Sequence, residues 1–182
     1  EKARCLVDGP EFYRLFESSS GEVWAGCRTG GLYRIMPDEK VIWYSDSNAE
    51  PYHIESNQIR SFAEDRFGNI WFGTFLGLHK YNPYTDKFTV YRQDHLPGSL
   101  SHSSVFSVYI DAQATIWVGT YYGGANYFNP EKEIFAHYTD NPFRKECLNY
   151  SFVGHLAEDK NGNIWICTEG GGLNFRSEEH TS

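Results

Sequence analysis

No stretch of this sequence keeps apolar residues at helical spacing over three turns, which excludes a solenoid of helix pairs. No apolar run is long enough to cross a membrane as a helix, and no signal peptide is present. Lysine and arginine nowhere cluster. With a net charge of −8, that argues against a general nucleic-acid or anionic-membrane binder. The four cysteines, Cys5, Cys27, Cys147 and Cys167, include no Cys-x-x-Cys pair. An even count permits disulfides without demanding them. Cys27 and Cys167 lie in or beside tryptophan-bearing segments and read as small, buried, free thiols. The seven histidines are scattered without metal-ligand spacing. Asp159 to Asn163 lacks the downstream acid of a calcium loop and is explained by a hairpin turn. No nucleophile–base motif stands out. The expectation is no catalytic residue, no metal and no cofactor.

What is present is one stretch that occurs four times. It reads Gly21-Glu22-Val23-Trp24-Ala25-Gly26, then Gly68-Asn69-Ile70-Trp71-Phe72-Gly73-Thr74. It returns as Thr115-Ile116-Trp117-Val118-Gly119-Thr120 and as Gly162-Asn163-Ile164-Trp165-Ile166-Cys167-Thr168. The tryptophans stand 47, 46 and 48 residues apart. A fixed period of this size marks a solenoid or a propeller. Six residues before each Trp stands Asp65, Asp111 or Asp159, with Ser18 in the first copy. Gly31-Leu32, Gly77-Leu78, Gly124-Ala125 and Gly172-Leu173 follow it, and three copies close on an aromatic-rich run ending at Tyr44, Tyr91 or Tyr138.

Short apolar and β-branched runs bounded by Gly, Pro, Asn and Asp predict four strands per repeat. In the Trp strand, Ile70 and Phe72 point one way while Trp71 and Gly73 point the other. A strand with no polar face must be covered on both sides. A small residue beside the indole lets the neighbouring sheet come close. The reading is all-β: a β-propeller fragment of about four blades, each a four-stranded antiparallel sheet, the last incomplete. Residues 1–11 are an N-terminal segment or a closing outer strand, through Leu6-Val7. Blades one to three span 12–58, 59–104 and 105–152; 153–176 is a partial fourth, and the polar 177–182 is a disordered tail. A chain that starts at Glu1 without Met fits an excised piece or a mature form. Two alternatives follow from the missing strand: ring closure by Leu6-Val7, or a homodimer through exposed terminal blades.

The repeat Ile-x-x-Phe/Val-x-x-Asp-x-x-Gly-Asn-Ile-Trp-x-Gly-Thr, then Gly-Gly-Leu, Asn-Pro and Phe-x-x-Tyr, resembles the two-component regulator propeller repeats. The clearest copies are Glu64 to Thr74 and Glu158 to Trp165; the resemblance covers about residues 12–175. Copy three departs at Ala112 to Thr115, copy one at Ser18-Ser19-Ser20, and copy four has Cys167 in place of Gly. The resemblance implies a non-catalytic, ligand-sensing segment of a hybrid two-component sensor histidine kinase. It further implies a periplasmic setting and an oligosaccharide ligand, with no nucleic acid or membrane contact by this segment. A propeller lyase-like enzyme and a protein-interaction scaffold are the alternatives.

The repeated Trp, Gly and Leu are framework. Loops that differ between repeats are the site candidates, since function sits on loops held by a scaffold. Between second and third strands these are Arg28, Phe75, Tyr121, Tyr122 and Glu169; between blades they include His53 and His102. Both sets belong to one face of a propeller, where such side chains stack on and hydrogen-bond a sugar. The other reading of these residues is a solvated rim or an inter-blade contact.

Overall fold

The computed structural model of the chain describes residues 3–129, 133–140 and 147–177. Those residues form fifteen strands and no helix. The first sheet holds β1 (Phe12–Glu17), β2 (Val23–Cys27), β3 (Leu32–Ile35) and β4 (Val41–Tyr44). The second holds β5 (Ile59–Glu64), β6 (Ile70–Thr74), β7 (Gly77–Asn82) and β8 (Lys87–Tyr91). The third holds β9 (Val105–Ile110), β10 (Ile116–Thr120), β11 (Ala125–Asn129) and β12 (Ile134–Tyr138). The fourth has three strands, β13 (Val153–Glu158), β14 (Ile164–Thr168) and β15 (Gly172–Arg176). Each sheet is an antiparallel meander in sequence order. The first strands β1, β5, β9 and β13 of successive sheets lie beside one another.

One carboxylate builds the turn into three of the four Trp strands. Asp65 Oδ1 accepts the amides of Phe67 and Asn69, each at 3.0 Å, and Oδ2 accepts Trp71 Nε1 at 2.8 Å. Asp111 takes the Thr115 amide and Trp117 Nε1, both at 2.7 Å. Asp159 takes the Asn163 amide at 3.1 Å and Trp165 Nε1 at 3.0 Å. Hydrogen bonds to the carboxylate favour its charged form. Those from the Asn163 and Trp165 side chains hold the Asp159 carboxyl down at about 2. The six-residue spacing from Asp to Trp therefore joins the turn to the indole.

Each buried indole is then covered twice. The last tyrosine of its own sheet stacks on it: Tyr44 on Trp24, Tyr91 on Trp71 and Tyr138 on Trp117, with centroids 6.4, 5.7 and 6.1 Å apart. The third strand of the next sheet supplies Tyr81 at 5.0 Å from Trp24, Phe128 at 5.7 Å from Trp71 and Arg176 at 5.3 Å over Trp117. Ile70 and Phe72 pack with Trp24 and Leu32, whereas Trp71 packs with Leu100, Val105 and Val118. The expected two-faced strand is thus seen, with a separate core on either side.

Close approach of the sheets sets the residue two after each indole. A Cβ on Gly26, Gly73 or Gly119 would lie 2.6 Å from Ile59, Val105 or Val153 of the next sheet. Cys167 holds this position in β14 and, contrary to expectation, is exposed, as are Leu173 and Phe175 on the same face. Among the described residues no fifth sheet covers that face. Cys27 is a buried free thiol as expected, and burial pushes it up to about 11.

Residues 3–11 join no sheet, so the closing outer strand through Leu6-Val7 is not formed. Gly9, at φ +108°, precedes Pro10, which has no amide hydrogen to donate; both interrupt a strand. Arg4 instead pairs with Glu39 at 2.5 Å. The expected tail beyond Ser177 lies outside the described residues.

Candidate functional site

The four inner strands share an irregularity. Ile59 faces Thr74 and Ser61 faces Gly73, which leaves Arg60 with no partner across the ladder. The same skip occurs at Tyr13 in β1, Phe106 in β9 and Gly154 in β13. A bulge leaves one residue outside the pairing and re-aims its side chain. Repetition at one register gathers the four positions at the start of the inner strands, beside the loops that follow β2, β6, β10 and β14. The backbone ties the two together: Arg28 N donates to Glu11 O, Tyr121 N to Ser104 O and Glu169 N to Phe152 O.

An aromatic cluster with one guanidinium at its centre results. Arg60 Cζ lies 3.4 Å from the Phe75 ring centroid and 4.7 Å from that of Phe106. Its Nη1 donates to Ser104 Oγ at 3.1 Å. Burial pushes the Arg60 guanidinium below the usual arginine value, and the neighbouring Tyr13 and Tyr121 hydroxyls work against that shift. The Phe152 ring meets Phe106 at 4.8 Å and Tyr121 at 4.7 Å; Tyr121 meets Tyr122 at 4.3 Å, and Tyr122 meets His102 at 6.4 Å. Phe75, Tyr121 and Tyr122 remain exposed. Arg28 lies 4.7 Å over Tyr13 and its Nε reaches Glu11 at 3.1 Å.

Of the residues expected from the sequence, Phe75, Tyr121, Tyr122 and His102 are brought together. Arg28 borders them through Tyr13. Glu169 sits at the fourth sheet's end of the face, its side chain 3.6 Å from where a Cβ on Gly154 would be. His53 does not join: its ring is turned into its own loop, where Nδ1 meets Asn48 O at 3.1 Å. Sequence reasoning missed Tyr13, Arg60, Phe106 and Phe152. For Tyr13, Arg60 and Phe106 a signal was present, because the residue after the first apolar position of each repeat (Phe12, Ile59, Val105, Val153) changes from Tyr to Arg, Phe and Gly while that position stays apolar.

The opposite face carries a cavity of about 530 Å3 lined by Asp65, Trp71, Lys80, Asp111, Trp117 and Arg176, among others. Four of its charged groups are already engaged. Asp65 and Asp111 hold their turns, Lys80 Nζ lies 5.2 Å over Trp71, and Arg176 Nε donates to Tyr138 Oη at 3.0 Å. We therefore place the candidate site on the bulge face. Among the described residues no three His, Cys, Asp or Glu side chains converge to hold a metal ion. No helix there is long and apolar enough to cross a membrane.

Antiparallel meanders, stacked face to face with their first strands together, define a segment of a β-propeller. Residues 53–75 and 147–170, the segments that hold Trp71 and Trp165, match the family model of the two component regulator propeller. A histidine kinase of Formosa agariphila is 32% identical over 156 residues, 85% of this chain and 11% of that protein. The extracellular domain of a hybrid two component system from B. thetaiotaomicron is 26% identical with a TM-score of 0.71, over 91% of this chain and 20% of that one. A second such domain from the same organism superposes with a TM-score of 0.77 at 24% identity, over 96% of this chain and 24% of that one. Virginiamycin B lyase of Staphylococcus aureus shares the fold at 16% identity and a TM-score of 0.61, over 91% of this chain and 55% of that one. The chain thus spans from about a tenth to a quarter of the histidine kinase and two-component relatives it matches.

Proposed function

We propose that this chain is a non-catalytic, ligand-sensing segment of the extracytoplasmic part of a hybrid two-component sensor histidine kinase, and that its ligand is an oligosaccharide. The supporting observation is the bulge face, where side chains that differ from repeat to repeat converge on an invariant framework. Exposed rings at Phe75, Tyr121 and Tyr122 offer flat surfaces for a sugar, with Arg60 and His102 as polar partners. Binding there changes how the propeller meets its neighbours and biases the distant kinase, to the extent that the ligand prefers one arrangement. Calorimetric titration with an oligosaccharide panel tests this. Binding that weakens with Tyr121→Ala and Tyr122→Ala supports it; binding that ignores both changes refutes the placement.

The lyase-like reading draws on the shared fold alone, and metal analysis with a turnover assay separates it from sensing. A protein-interaction scaffold would bind a partner protein and no sugar.

The open face of the fourth sheet supports one proposal about partners. Trp24, Trp71 and Trp117 are each covered by a following sheet, whereas Leu173 and Phe175 beside Trp165 are not. The first sheet presents Leu15 and Trp43 on its own open side. We propose that two copies of the isolated chain associate through these faces. A monomeric mass in light scattering at tens of micromolar would refute it.

A further inference from the structure

We propose that Arg60 anchors an anion subsite, so that this face takes an acidic oligosaccharide through a carboxylate or sulfate group. The inference rests on the sensing role proposed above and names its ligand class.

Four of the eight described arginines hold an acid, and Arg60 does not. Arg34 holds Glu22 at 2.6 Å, Arg28 holds Glu11 at 3.1 Å, Arg4 holds Glu39 at 2.5 Å, and Arg92 pairs with Glu55. Among the described residues no carboxylate lies within ion-pair distance of Arg60, although its side chain is half-buried. A charge taken from water without a counter-ion is costly, and an anionic ligand removes that cost.

The geometry also fixes how the anion enters. Phe75 and Phe106 lie against the guanidinium, so approach over those rings is closed. A guanidinium presents five N–H donors around its edge, and among the described residues the acceptor they meet is Ser104 Oγ, on Nη1. The remaining edge suits the paired oxygens of a carboxylate or sulfate.

Two more cations stand close by. Arg14 Nε donates to the carbonyl of Arg60 at 3.1 Å, and Arg14 and Arg28 lie 4.3 and 4.7 Å from the Tyr13 ring. Three guanidiniums against Glu11 make this a locally positive region on a chain of net charge −8. The exposed rings of Tyr121 and Tyr122 then receive the sugar that carries the acid.

The test titrates the chain with a galacturonate trimer, its methyl ester, and a sulfated galactose oligomer beside its unsulfated form. The acidic member of a pair should bind at least about tenfold tighter, with an affinity that falls as salt rises. Arg60→Gln should remove that preference and spare the neutral member. Arg60→Lys, which keeps the charge and loses the fork, should recover part of it. Circular dichroism checks that both variants fold. The uronate and sulfate pairs report which acid is preferred, and a preference in either supports the subsite. Equal binding of acidic and neutral members overturns the subsite and leaves saccharide sensing standing. Binding unaffected by Arg60→Gln does the same. No binding of any saccharide overturns both.

Discussion

Ser18 stands where an aspartate holds the indole in the other three sheets, and Trp24 Nε1 is consequently buried without an acceptor. Ser18 Oγ still accepts the Glu22 amide at 3.1 Å, as Asp65 accepts that of Asn69, but it is too short to serve the indole as well. The acid has moved to Glu22, which grips Arg34 through two bonds of 2.6 and 3.1 Å. A buried donor without a partner costs roughly 1–3 kcal/mol. Ser18→Asp is therefore expected to stabilise the chain by about 1 kcal/mol, and Asp65→Ser to destabilise it by about 2 kcal/mol. Urea midpoints of the two variants check both signs.

Gly73 and Cys167 hold the same position in the second and fourth repeats and should respond differently. Gly73→Ala drives a methyl into Val105 at 2.6 Å and Ser61 Oγ at 2.8 Å, an overpacking that costs about 1–3 kcal/mol. Cys167→Ala meets no sheet in the isolated chain and should change stability by less than about 0.5 kcal/mol. Thermal melts of the two variants, compared side by side, decide the matter.

Ala114 takes the left-handed turn position that Gly68 and Gly162 fill in other repeats, at φ +65° against +76° and +83°. An L side chain there costs roughly 1–2 kcal/mol. Ala114→Gly should raise the melting temperature, with a gain of about 1 kcal/mol after the added freedom of the unfolded chain is subtracted. An unchanged or lower melting temperature would contradict the account.

His79 is fully buried against Phe72, ring centroids 4.9 Å apart, and burial pushes its pKa down to about 4 from an ordinary 6.5. Between those values the unfolded chain binds a proton that the folded chain does not. Stability should therefore be complete above pH 6.5 and fall as the pH drops toward 4, by up to about 1.4 kcal/mol per unit. Across this range the denaturation midpoint of the native chain should fall relative to that of His79→Phe as the pH drops. A native chain whose midpoint is flat from pH 7 to about 4.5 would contradict the shift.

The sheets were legible because their cause repeats. Trp71 and Gly73 on one side, Ile70 and Phe72 on the other, can be satisfied only between two further sheets. The loop residues Tyr121 and Tyr122 were legible as site candidates because they break the repeat. Arg60 was not, although it breaks the repeat as well. It lies inside a strand, and strand alternation assigns it to a face of the sheet. The bulge that turns it toward the loops after β6 and β10 is a pairing irregularity and leaves no mark on the order of residues. His53 was expected beside Tyr121 and Tyr122 and does not join them, for the converse reason. It varies and lies between blades, but its connector folds back so that the Asn48 carbonyl takes the ring. Cys167 was read as buried from its repeat position, which presumes a neighbour on that side.

Each bulged residue contributes nothing to the ladder that flanks it. Exchanging Tyr13, Arg60, Phe106 or Gly154 for another amino acid leaves the strand pairing of the sheets in place. Duplicated units of this kind can diverge in what they recognise while their architecture stays under separate selection, so relatives with nearly superimposable backbones are free to answer to chemically unrelated signals.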